Sequence, residues 1–230
     1  MRSDRSKLLA EVIGTYCLVF AGTGAVVVDQ VTGGKVGGLG ISLVFGLIVL
    51  AMIYAIGHVS GAHMNPAVTV GFYSAGRHPA GEILPYVAAQ LCGAILASLS
   101  LRLLFVGQGT SLGLTLPAGT VGQSFALEAI MSFILMFTIM GVATDDRAEG
   151  AMAGIAIGGV IALEAAFGGP ISGASMNPAR SFSPALITFN FAHQWLYWVA
   201  PVLGSVAGAL AYRAVQSEAG TPAKAAAPAP

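Results

Sequence analysis

The octapeptide Ser60-Gly-Ala-His-Met-Asn-Pro-Ala67 returns as Ser172-Gly-Ala-Ser-Met-Asn-Pro-Ala179, with seven of eight residues unchanged. The beginnings of the two halves echo one another as well. Glu11, Ile13, Tyr16, Leu18 and Phe20 correspond to Glu128, Ile130, Phe133, Leu135 and Phe137, and near the ends Tyr86 and Gly93 correspond to Tyr197 and Gly204. A chain with this duplication builds one unit twice, and the apolar pattern says how the two units lie. A bilayer core takes about 20 predominantly apolar residues per helix. Six stretches meet that length, at 8–28, 37–56, 83–105, 121–143, 151–168 and 195–215, three in each half. An odd number of crossings leaves the second unit upside down, related to the first by a pseudo-two-fold axis in the membrane plane. Counting alone forces the inversion.

Composition agrees with a membrane protein. Hydrophobic residues make up 56% of the chain, charged residues only 9%, and the mean hydropathy is +0.81. A soluble domain carries roughly a quarter of its residues as charges. The 31 glycines suit membrane helices, between which small residues let backbones approach closely. A net charge of zero gives no electrostatic footprint for nucleic acid. The basic N-terminus imitates the start of a secretory signal. The apolar run after it continues for about 20 residues without a clear cleavage site, so it reads as a first span. Cys17 and Cys92 lie in apolar runs, without metal-ligand or disulfide spacing, and are expected to be packing residues.

Six spans put both termini on one side. With the termini in the cytoplasm, the inner stretches hold Arg2, Arg5, Lys7, Arg77, Arg147, Arg213 and Lys224, and the outer ones only Lys35 and Arg102. That is a positive-inside distribution. The expected organisation is a cytoplasmic N-terminus at 1–7, a first repeat at 8–106 and a second, inverted repeat at 121–215. A disordered Ala- and Pro-rich cytoplasmic tail at 216–230 completes it. Short connections suit a cell membrane.

The duplicated motifs fall outside the full spans. Each opens a short stretch, 66–75 and 178–187, worth about 15 Å if helical. Entering from opposite faces and meeting end to end, the two total about 30 Å, which matches the hydrocarbon thickness. Pro66 and Pro178 suit a first helical position, where the missing N–H costs nothing. Asn65 and Asn177 are strong N-caps, with Ala67 and Ala179 completing each corner. The fold class is therefore all-α, with six transmembrane helices and two re-entrant half-helices in an inverted 3+3 repeat. Non-helical backbone leading into each motif is tolerable at this depth only beside a wet cavity or buried in protein. Each half-helix end carries about +0.5 charge, so two facing ends repel cations, and the Asn donors would hold a passing water by its oxygen. Arg180 follows the second motif directly. A cation at membrane depth is functional by default, although a snorkelling arginine is the blander reading.

The paired Asn-Pro-Ala motifs, the six spans and Arg180 make the chain resemble the aquaporin family from about Lys7 to Arg213. The resemblance implies a homotetramer whose subunits each carry a pore for water and small neutral solutes, excluding protons and ions. It also implies a selectivity filter of Phe45, Ala165, Ala174 and Arg180. Strict water channels of the family usually carry His where this chain has Ala165, so the filter is expected to be wider and to lack one donor. Ser181, Ala185, Tyr197 and Trp198 match the water-channel pattern; glycerol facilitators usually carry Asp at the position of Ser181.

The remaining polar residues carry weaker expectations. Glu11 and Glu128 occupy equivalent places, and buried carboxylates need partners; they are expected to brace the motif loops rather than relay protons. For His63, pore lining and plain hydrogen-bonded packing stay open. So do a vestibule and an internal pairing for Glu164. His58, His78 and His193 lack metal spacing, and Asp145, Asp146 and Arg147 read as a solvated turn. No cofactor is expected, and no nucleophile–base pair, nucleotide loop or metal cluster suggests an enzyme. The alternatives are a facilitator mainly for glycerol, urea or ammonia, and a secondary transporter.

Overall fold

The structure, a computed structural model, describes residues 4–144 and 152–219. Eight helices follow one another: α1 Asp4–Thr32, α2 Gly37–Ser60, α3 Pro66–Ser74, α4 Ala80–Leu104, α5 Val121–Thr144, α6 Ala153–Ser172, α7 Pro178–Thr188 and α8 Leu196–Ala219. Six of them are long and apolar enough to cross a membrane. The other two, α3 and α7, are the short helices after the repeated motifs, and no strand occurs among the described residues. The fold class is the one the repeat requires.

Packing follows the duplication. α1 lies on α4 in the first half and α5 on α8 in the second, while α2 crosses α6 between the halves. Each short helix leans on the last span of the other half, α3 on α8 and α7 on α4, and the two short helices touch. Glycines set the closest crossings. A side chain at Gly93 would overlap the Val12 carbonyl, and one at Gly204 would overlap that of Ala129. These are equivalent places in the two repeats, and Gly46 and Gly158 likewise press on each other's backbone. Without a hydrophobic drive between helices in lipid, such close van der Waals contact is what holds them together.

The polarity of the molecule is inverted. Leu39, Leu47, Leu84, Leu103 and Leu163 are all more than half exposed, whereas Glu11, Glu128 and Glu164 are wholly buried. An apolar girdle of this extent marks a lipid-facing surface.

Several details differ from expectation. α1 begins at Asp4 and extends to Thr32, past the predicted apolar limit at 28, because a helix continues through polar residues once its apolar face is packed. α8 runs to Ala219, so 216–219 are helical and not part of an irregular tail. Arg2, the Asp145-Asp146-Arg147 turn, Lys224 and the tail from 220 onward lie outside the described residues. Cys17 is half-buried, but Cys92 is exposed and is not a packing residue. Gly93 next to it takes the close contact with α1, which turns Cys92 outward.

Candidate functional site

Both motif loops are built from strained backbone. Gly61 and Gly173 each take φ 87° and end the helix before them. Ala62 (φ 50°), Met64 (φ 51°), Ala174 (φ 40°) and Met176 (φ 51°) also adopt the left-handed region. Such conformations cost of order 1–3 kcal/mol each for side-chain-bearing residues and persist only where the surroundings over-determine them.

The two buried glutamates supply that constraint. Glu11 accepts from the His63 N–H at 2.9 Å, the Met64 N–H at 2.7 Å and the Ser60 hydroxyl at 2.7 Å. Glu128 accepts from the Ser175 N–H at 2.8 Å, the Met176 N–H at 2.7 Å and the Ser172 hydroxyl at 2.7 Å. Tyr86 donates to the Ser60 carbonyl at 2.9 Å and Tyr197 to that of Ser172 at 2.7 Å. Among the described residues only the first half has a further donor, the Gln90 amide on Glu11 at 2.8 Å; the position equivalent to Gln90 is Pro201.

Each loop delivers its asparagine to the start of a short helix. The Asn65 side-chain oxygen accepts from the Ala67 N–H at 2.9 Å. That of Asn177 accepts from the N–H groups of Ala179 at 3.0 Å and Arg180 at 3.3 Å. Pro66 and Pro178 stand at the first helical positions, and Ala67 and Ala179 are wholly buried behind them. The amide groups then reach across the molecule. Asn65 Nδ2 donates to the Met176 carbonyl at 2.7 Å, and Asn177 Nδ2 donates to the Met64 carbonyl at 2.9 Å. One amide hydrogen is used in each case and a second is left over, since a carboxamide nitrogen carries two. This reciprocal clamp ties the half-helices together at their N-terminal ends.

A cavity of about 1140 Å³ runs past this junction. Asn65 and Asn177 line it, as do Phe45, Ala165, Ala174 and Arg180 toward one end and His63, His78 and Arg77 toward the other. Arg180 is 4% exposed and donates through Nη1 to the Gly113 carbonyl at 2.6 Å. Its guanidinium carbon lies 5.3 Å from the centre of the Phe45 ring, within reach of a cation–π contact. Nε of Arg180 is buried without a hydrogen-bond partner among the described residues. The four residues named from the resemblance thus border one cavity.

His63 combines both of its readings: it lines the cavity, and its Nδ1 pairs with the Thr69 hydroxyl at 3.1 Å. Glu164 fits neither of its own. It is wholly buried, it does not border the cavity, and both carboxyl oxygens lack a hydrogen-bond partner among the described residues. Gly168, one turn further along α6, packs on Met131 of α5, so this face of α6 turns into the helix bundle while Ala165 faces the cavity.

Sequence reasoning missed the Gly113 acceptor, the cross-half amide bonds and the Gln90 donor. Gly113 sits in a connection without periodicity, and nothing local points from it to Arg180. The amide bonds link residues more than 110 positions apart. Only the duplication itself hints at them.

Comparison with known proteins agrees with this architecture. Residues 2–212 match the family described as Major intrinsic protein. The chain is 50% identical over 210 residues to "Aquaporin NIP1-1" of Zea mays, covering 91% of this chain and 74% of that protein. It is 49% identical to "Nodulin-26" of Glycine max, covering 91% and 78%. Its fold superposes on the X-ray structure of the aquaglyceroporin from Plasmodium falciparum with a TM-score of 0.84 at 25% identity, covering 94% of this chain and 98% of the other. With that match across nearly all its length, the chain belongs to the major intrinsic protein family, as an aquaporin-type multi-pass membrane channel.

Proposed function

We propose that this channel conducts water together with small neutral solutes, and rejects protons and other cations. The observation that carries this reading is the junction of the two half-helices. Two N-terminal ends, each worth about +0.5 charge, are clamped against each other by Asn65 and Asn177 beside the cavity. Uncharged molecules lose nothing to that field, while a cation meets it at the point where its hydration is thinnest. The remaining amide hydrogen of each asparagine serves a passing oxygen atom.

Arg180, Phe45, Ala165 and Ala174 act as the selectivity filter in this reading. With methyl groups at two of the four places, the filter gains width and offers solutes an apolar wall opposite a guanidinium. The small side chains support the second reading, a facilitator that favours glycerol or urea over water. Membership of a channel family removes the grounds for an ion-coupled transporter. The subunit is taken to work as a homotetramer in a cell membrane, with both termini cytoplasmic, the side on which the positive charges gather.

Stopped-flow light scattering on proteoliposomes, with water, glycerol and urea run side by side, tests the proposal. Fast osmotic shrinkage with measurable glycerol or urea uptake is expected. Shrinkage no faster than in empty vesicles would overturn it.

A further inference from the structure

The two halves secure their motif corners with different residues. In the first half the Thr69 hydroxyl donates to the Asn65 carbonyl at 3.1 Å and pairs with Nδ1 of His63 at 3.1 Å. It also accepts from the Gln90 amide at 3.0 Å. The repeat carries His63, Asn65 and Thr69 onto Ser175, Asn177 and Ser181. Gln90 lies one turn past Tyr86 on α4, and its counterpart, one turn past Tyr197 on α8, is Pro201, whose side chain offers no donor.

The second half draws its donor from outside the repeat. Thr115, in the irregular connection between α4 and α5, donates its hydroxyl to Ser181 at 2.8 Å. Ser181 pairs with Ser175, and Ser175 donates to the Asn177 carbonyl at 2.9 Å. A hydroxyl carries one proton, so Ser181 is the donor to Ser175. The three hydroxyls run head to tail from Thr115 to the second motif, and each bond polarises the next. All three residues are buried, yet Ser175 borders the conduit between Ala174 and Asn177. Thr115 also meets the Tyr197 hydroxyl, which donates to the Ser172 carbonyl of the same loop.

Resting on the channel reading above, we propose that Thr115 is a specificity-determining positioning residue that takes the place of the missing counterpart of Gln90. Its hydroxyl, acting through Ser181 and Ser175, fixes the conduit wall between Ala174 and Asn177.

Without that hydroxyl, Ser181 loses the donor that sets its orientation, and Ser175 is free to turn. Water already fits the conduit, so a wall that yields helps the larger solutes most. The methyl of Thr115 has a separate task. It fills the space against Gly173, where an added side-chain carbon would meet it at 2.9 Å. Valine keeps the methyl and deletes the hydroxyl, whereas serine does the reverse.

The test is the ratio of glycerol to water permeability in proteoliposomes. Thr115→Val is expected to raise it by about threefold, the scale of one lost neutral hydrogen bond, and Thr115→Ser to keep the ratio of the unaltered protein. Ser181→Ala cuts the chain in the middle and should raise the ratio too, so it carries the test should Thr115→Val assemble poorly. Adding Thr115→Val to Ser181→Ala should change nothing further, because the two act through one chain. An unchanged ratio in Thr115→Val or in Ser181→Ala would overturn the proposal. So would an equal rise in Thr115→Ser, which assigns the effect to packing. Additive effects in the double variant would overturn it as well, since they assign the effect to the tie between Gly113 and Arg180. Water flux of the unaltered protein reports the channel reading separately.

Discussion

At the scale of single residues, the division of labour is between side chains that hold the motif loops and side chains that meet the solute. Glu11 and Glu128 belong to the first group, because their oxygens are spent on loop N–H groups and serine hydroxyls. Glu128→Gln replaces an acceptor by an NH₂ that faces a donor, which costs about 1–3 kcal/mol for the group left unpaired. Lower thermal stability in detergent is expected, and an unchanged unfolding midpoint would deny the bracing role. Ala165, which borders the cavity, belongs to the second group in the proposed reading. Ala165→His narrows the filter and adds a donor, so glycerol and urea fluxes should fall severalfold while water flux persists. Solute uptake assays on that variant decide the matter, and unchanged glycerol flux would remove Ala165 from the filter. The asparagines and prolines were legible in the sequence because duplication set them apart from ordinary turns, and Arg180 because it is a cation directly after the second motif, where the first motif is followed by Val68. Glu164 was not, since its neighbours come from another helix and its first-half equivalent is the apolar Met52.

At the scale of elements, the spans were legible because length and hydropathy are local properties. Their ends were less so. The N–H groups of Gly33 and Gly34 return to the carbonyls of Gln30 and Asp29 and close α1 just after Thr32, and α8 continues to Ala219; neither end is marked by apolar content. Helix crossings are set by small residues that the sequence marks only as abundant. Gly158 and Gly159 separate the two cases: a side chain at Gly158 would meet the Gly46 carbonyl at 2.6 Å, whereas Gly159 faces open space. Gly158→Leu should therefore abolish recovery of well-dispersed protein in size-exclusion chromatography, since α2 and α6 cannot approach, and Gly159→Leu should leave recovery intact. Equal behaviour of the two variants would argue that the α2–α6 contact does not hold the halves together.

At the scale of the whole molecule, one unit used twice in opposite senses explains why the centre has the chemistry it has. Each half-helix is too short to cross the bilayer, and each is propped by the last span of the other repeat, so neither half can build the central junction alone. The inverted order was legible by counting spans. The clamp that locks the halves was not, because it joins side chains to carbonyls across the pseudo-two-fold axis. Both asparagines serve that clamp, and both border the cavity. Water permeability and proton permeability measured on the same proteoliposomes, the first by osmotic shrinkage and the second by a trapped pH dye under an imposed gradient, test the central claim most directly. Fast shrinkage with proton flux no greater than in empty vesicles is the predicted result. Proton entry that rises in step with water flow would contradict it.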